Sequence, residues 1–335
     1  MAETVAEFMQ KPVKKYACGK KAREAKKTLM QAFVSTSKKN EAQEKALFEE
    51  MVSSIMKTGK GRETMTELSK LGYTFHFEKM EGTNGFCLPN QKKILLDPQQ
   101  DFYGTMHCLV HEGRHAIQSS LAKGGSFDFK SMKAADYIKL KRAMEADASA
   151  HEMAFIYQCE QTFSADPRYQ TMEFRDFWKN TEMYKAYAGE MEKSGDEKKA
   201  MQVSFAAWYK DDFHMNGYEN LFNNEIRSIA AMGKNNKDAA CFSQDYPTKD
   251  VLRMLRFKGK PYVTEQNITT GVAFSLSEQH KREMETNIRD YAQALGIKAD
   301  TSLSAMRERR ADGTLLPEKK AVNASVVAKA KQEGR

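Results

Sequence analysis

The first 60 residues scatter apolar side chains among Ala, Lys, Glu, Gln and Met, all good helix formers. Phe33, Leu47, Phe48, Met51, Val52 and Ile55 give this stretch an apolar face. The pattern predicts two helices, broken near Ser35–Asn40 and ended by Thr58-Gly59-Lys60-Gly61. A short helix over 62–71 should close at Gly72. The period then shortens to two. Tyr73, Phe75 and Phe77 alternate with Thr74, His76 and Glu78, as a half-buried strand requires. Glu81-Gly82-Thr83-Asn84-Gly85 reads as a turn. Gly85–Leu88 and Lys93–Leu96, on either side of Pro89-Asn90-Gln91, read as a hairpin that Asp97-Pro98 stops.

Asp101 is placed to cap a helix running to about Lys123, with Gly124-Gly125 at its end. Phe102, Met106, Leu109, Val110, Gly113, Ile117 and Leu121 share one broad face of it. Residues 130–161 contain no Gly or Pro and predict a second long helix, broken at Asp166-Pro167. Beyond 170 the chain reads as mostly helical, with Lys193–Lys199 as a polar linker and 234–249 as loop. The aromatics Phe174, Phe177, Trp178, Tyr184, Tyr187, Phe205, Trp208 and Phe213 read as packing. Four regions follow: a basic helical extension (1–61), a core of mixed structure (62–165), a helical region (166–300) and a disordered basic tail (301–335). The expected class is α+β, mostly helical, with a small antiparallel sheet or hairpin before the capped helix.

Composition narrows the function classes. In 335 residues, 41% are hydrophobic and 29% charged, which suits a soluble chain with a sizeable core. No apolar run is long enough to span a membrane, and the lysine-rich start lacks a signal-peptide core. The expected location is cytoplasmic, with non-classical export left open. The five cysteines, Cys18, Cys87, Cys108, Cys159 and Cys241, form no CxxC and read as free thiols. The net charge of +8 sits at the ends: residues 1–60 carry +6 and residues 301–335 carry +4. The stretch between is slightly acidic, so no specific nucleic-acid partner is expected.

His111-Glu112-Gly113-Arg114-His115 is an HExxH motif within the capped helix. Histidines at i and i+4 lie one turn apart on one face, so both imidazoles can reach one zinc ion. The adjacent glutamate can meet a metal-activated water and take its proton as general base. Chance would produce about 0.01 such matches in a chain of this composition. On the helical wheel His111, His115 and Gln118 lie nearly opposite the apolar stripe, where core-filling histidines would not be expected. A third ligand is needed. Glu145, 30 positions after His115, is the leading candidate on the following helix, and Ala146, Ala148 and Ala150 would let the two helices approach. Asp147 is the rival ligand, or a group that orients an imidazole. The two acids are about 200° apart on the wheel, so only one can face the metal. Asp147 shares its face with His151, and His107 lies one turn before His111.

His111–His115 with a glutamate on a later helix resembles the gluzincin branch of the zincin metallopeptidases. The phrase His111-Glu112-Gly113-Arg114-His115-Ala116-Ile117-Gln118, with Glu145-Ala146-Asp147-Ala148, is similar to bacterial metallopeptidase-like domains of poorly known function. The resemblance covers roughly residues 65–160. It implies a zincin-like core and one zinc per chain, held by His111, His115 and Glu145, with Glu112 as base. Several gluzincin families carry an aspartate four residues after the ligand glutamate; here that position is Ser149. Zincins also set an edge strand above the metal, a part that Gly85–Leu88 or Lys93–Leu96 could play. Resembling peptidases often take an oxyanion donor from a downstream His or Tyr, for which His214, Tyr218 and Tyr157 are the candidates.

The function expected is hydrolysis of a peptide or protein substrate by metal-activated water. The alternative is a catalytically silent zincin-fold interaction or effector protein whose basic ends contact an acidic partner. An intact Glu112 favours the first, because a purely structural metal site needs no base.

Overall fold

The computed structural model describes residues 19–36, 38–122, 127–171, 175–236, 240–310 and 312–317. The expectations for Gly124-Gly125, for Phe174 and for both extreme termini lie outside these residues. The molecule is mostly helical with small sheets, an α+β arrangement.

Helices Lys20–Ala32 and Glu41–Ile55 form where the apolar face predicts them. The second helix stops just before Thr58, as expected, but the next helix starts three residues earlier than position 62: Thr58 accepts the Gly61 backbone N–H and caps a helix, Gly59–Leu68, so the glycines lie in its first turn. These helices share one core with the sheet: Leu29, Phe48, Met51, Ile55, Met65 and Leu68 pack with Phe75, Ile94, Met106 and Val110.

The sheet has three strands, β1 (Thr74–Phe77), β2 (Gly85–Leu88) and β3 (Lys93–Leu96), in the order β1-β3-β2. The β2–β3 hairpin is antiparallel, with Gly85 opposite Leu96. β1 joins β3 in parallel, Thr74 opposite Lys93, so the sheet is mixed rather than antiparallel throughout. Val34 and Thr36 donate hydrogen bonds to the Phe75 and Phe77 carbonyls and cover the outer side of β1. β2 is the opposite edge of this sheet.

Asp101 accepts the Gly104 N–H at 2.7 Å and caps the motif helix, Phe102–Leu121. Its apolar stripe lies on the sheet and on the Gly59–Leu68 helix. At Gly113 a Cβ would come within 3.2 Å of Leu68 Cδ2, so the glycine lets these helices close together. The return helix, Ala134–Phe163, runs antiparallel to the motif helix. Gln118 meets the Met144 carbonyl, Arg114 meets Asp147 and His111 meets Glu152. Buried Ala143, Ala146 and Ala150 keep the return helix slim.

The expected linker at Lys193–Lys199 reduces to Gly195-Asp196, between helices Glu182–Ser194 and Glu197–Trp208. Asp196 caps the second of these. A long helix, Asp212–Asn235, follows, and after it a hairpin of β4 (Arg256–Phe257) and β5 (Lys260–Pro261). Residues 301–310 are not loose, contrary to the sequence expectation. Leu303 and Met306 are buried, and β7 (Arg307–Arg309) pairs in parallel with β6 (Ser275–Ser277). The charges that made this segment read as disordered are used inside: Arg309 and Arg142 both donate to the buried Glu219 at 2.8 Å. Among the described residues no helix is long and apolar enough to cross a membrane.

Candidate metal centre

The capped helix directs His111 and His115 to the same side, and the return helix brings Glu145 to them. The two Nε2 atoms are 3.2 Å apart. Glu145 Oε2 lies 3.5 Å from the first and 3.3 Å from the second. An ion with tetrahedral angles and bonds of ~2.0–2.1 Å spaces its ligand atoms about 3.3 Å apart, so this near-equilateral triangle has the dimensions of three zinc ligands. The residues therefore fit the metal that their types imply. These three form the one His/Cys/Asp/Glu cluster among the described residues with metal-ligand spacing.

The far nitrogens of both rings are held. His111 Nδ1 donates to Glu152 Oε2 at 3.0 Å. His115 Nδ1 lies 2.8 Å from Gln118 Oε1. The orientation of that amide is fixed by its other end, where Nε2 donates to the Met144 carbonyl at 2.8 Å and to Asp147 Oδ2 at 2.7 Å. Oε1 is thus left to accept from His115, and both Nε2 atoms are turned toward Glu145.

The charges agree with the geometry. Burial pushes His111 toward neutrality, but hydrogen bonds to Glu145 and Glu152 outweigh it and hold its pKa well above the usual histidine range. His115 is also raised, against its burial, by the charge and hydrogen bond of Glu145. Burial favours a neutral Glu145, yet the two imidazoles pull its pKa well below the usual carboxylate range. The cluster is built to hold positive charge.

Asp147 is not in the triangle but braces it from behind. It is fully buried, accepts Arg114 Nε at 2.7 Å and Nη2 at 3.2 Å, and accepts the Gln118 amide that orients His115, the orienting role that was its alternative to ligation. Arg114 also donates to the Met254 and Arg256 carbonyls, 3.1 and 3.0 Å away. His151, 3.6 Å from Asp147, is buried on this side and is not part of the metal cluster. His107 is buried edge-on against Phe155, 5.7 Å between ring centroids, and burial lowers its pKa to about 3.

A cleft of about 320 Å³ opens over the cluster. Glu112 lines it, and its carboxylate makes no hydrogen bond or ion pair among the described residues. One wall is Gly82–Gly85 at the start of β2. The other carries Trp178, His214 and Tyr218. A Cβ at Gly85 would fall 2.3 Å from Cys108 Sγ and 3.2 Å from Glu112 Cγ, so the bare glycine lets the strand lie against the turn that bears Glu112. His214 Nδ1 lies 2.9 Å from Asp211 Oδ1, and burial together with the nearby Glu145 carboxylate pushes the Tyr218 hydroxyl pKa well above its usual range. Tyr157 is stacked obliquely on Tyr187 and is not among the cleft-lining residues.

Two positions escaped the sequence reading. Glu152, seven residues after Glu145 and so on the same helical face two turns on, holds His111, while Ser149 at the expected acidic position lines the cleft. Asp211, the cap of the Asp212–Asn235 helix, fixes the His214 ring.

Paired imidazoles, a part-buried acid and a carboxylate lining a cleft are the equipment of a metal-dependent hydrolase. Residues 22–254 match the profile of the family described as "Putative metallopeptidase family (DUF6782)", and the chain belongs to that family. No curated protein and no solved structure matches it.

Proposed function

We propose that the protein is a zinc-dependent peptidase with a zincin-like core. The observation that carries this reading is the triangle of His111 Nε2, His115 Nε2 and Glu145 Oε2, with sides of 3.2 to 3.5 Å, beneath a cleft that exposes Glu112. His111, His115 and Glu145 hold the ion. Zinc bound there supplies Lewis acidity, making a water acidic near neutral pH and polarising a peptide carbonyl. Glu112 takes the proton from the attacking water and delivers it to the leaving amine. His214, braced by Asp211, and Tyr218 donate hydrogen bonds to the oxyanion from the far wall. The edge position of β2 lets it take the substrate backbone as an added strand, and Gly85 keeps that edge close to Glu112.

Metal analysis and peptide hydrolysis test this together. The full chain should carry about one zinc, as single-site zincins do. His111→Ala, His115→Ala and Glu145→Ala should each lose it. Glu112→Gln should keep zinc and lose hydrolysis; a variant that still cleaves removes the proposed base, and metal retained without His111 removes the site.

A further inference from the structure

Phe177 and Phe213 depart from the packing role that the sequence pattern gives them. They are 48% and 75% exposed. They belong to separate helices, Arg175–Asn180 and Asp212–Asn235, and their rings meet edge to face at 6.4 Å. Each also packs on a cleft residue: Phe177 on Trp178 at 5.3 Å, Phe213 on His214 at 5.4 Å. An aromatic surface therefore runs from solvent to Trp178 and His214, which line the same cleft as Glu112.

The backbone fixes this exposure. Met215, Glu219, Phe222 and Ile226 are the buried face of the Asp212–Asn235 helix. Phe213 lies about 200° around the wheel from Met215, so it cannot turn into the core without rotating the helix. The opposite wall of the cleft offers Gly82, Thr83, Asn84, Gly85 and Gln100, which are small or polar. An edge strand holds substrate through its main chain and does not select side chains. Selection must come from the other wall, where the groups on offer are aromatic faces.

We propose that the cleft selects extended peptides by a large apolar side chain seated against Trp178, Phe177 and Phe213. This rests on the peptidase reading for the cleavage step, but the binding preference is separable from it. The probes are two fluorescein-labelled decapeptides of Gly, Ser and Asn, one with a central Leu-Phe pair and the other with Ser-Ser. Binding is measured by anisotropy to full-length, zinc-loaded Glu112→Gln protein. The Leu-Phe peptide should bind at least about tenfold tighter, the scale on which apolar pockets discriminate. Adding Phe177→Ser and Phe213→Ser should bring the two peptides within about twofold by removing that selectivity, and leave the Ser-Ser peptide and the zinc content unchanged. Equal binding of both peptides by the parent, or an undiminished preference in the double variant, overturns the proposal. Turnover of the same peptides by the unmutated enzyme separates the two readings. Preferential binding without hydrolysis defeats the peptidase and leaves the aromatic wall standing; hydrolysis without preference does the reverse.

Discussion

Glu152 accepts a hydrogen bond from His111 Nδ1 at 3.0 Å, two turns along the return helix from Glu145. One helix thus supplies both the carboxylate of the proposed ligand triangle and a carboxylate that steers one of its rings. Groups that orient metal-bound imidazoles typically contribute 10–100-fold in affinity. Glu152→Ala should weaken zinc binding by about that factor with the stoichiometry unchanged. Titration against a chelating dye checks it; affinity within twofold of the parent would show that His111 is held by its own packing.

Glu145 and Asp147 should part company under substitution. Glu145→Ala removes a ligand and should abolish zinc binding while leaving the fold intact. Asp147→Ala strands Arg114 in the interior, and breaking a buried pair costs about 3–5 kcal/mol. Urea unfolding with and without zinc distinguishes them, because the second variant should lose stability in both conditions.

Gly85 and Gly217 make a matched pair. At Gly85 an added methyl collides with Cys108 Sγ and crowds Glu112, whereas at Gly217 nothing lies within 4 Å. Gly85→Ala should push β2 off the motif helix and lower kcat/KM by about 10- to 100-fold, since displacements near 1 Å have that effect on positioned groups. Zinc content should not change. Gly217→Ala, in an exposed helical turn, should keep full activity and gain roughly 0.5–1 kcal/mol.

Acid stability should bear the mark of His107. In the unfolded chain this ring titrates near the ordinary histidine value of 6.5; in the folded protein burial lowers that to about 3. Above pH 6.5 both states are neutral and the residue contributes no pH dependence. As pH falls from 6.5 toward about 3 the unfolded state takes up the proton first. Stability then drops by up to about 1.4 kcal/mol per pH unit. His151, whose pKa burial also pushes well below the usual range, adds to the slope. Denaturation curves across this interval should be shallower for His107→Leu than for the parent.

Legibility in the sequence followed the range of the interactions. His111, Glu112 and His115 are fixed by spacing on one helix. The wheel also forced a choice between Glu145 and Asp147, though only the packed pair of helices shows that Asp147 is claimed by Arg114. Glu152 lies two turns beyond Glu145, whereas the gluzincin pattern places its acid one turn beyond, where Ser149 stands. β1 pairs with β3 across the intervening β2, a long-range choice that alternation cannot express. Gly59 and Gly61 read only as a stop because glycine weakens helices; the Thr58 side chain, a local signal, also makes them the start of the next helix. Arg307–Arg309 looks solvated until Glu219, 90 residues earlier, is seen to receive Arg309.

Arg114 occupies a variable position of the metal motif, yet it is tied to carbonyls at residues 254 and 256. During synthesis its partners leave the ribosome more than a hundred codons after the histidines do. A nascent chain stalled before that point holds every proposed ligand but not the brace behind them. On the peptidase reading, the centre gains its full brace late, when most of the polypeptide has already been made.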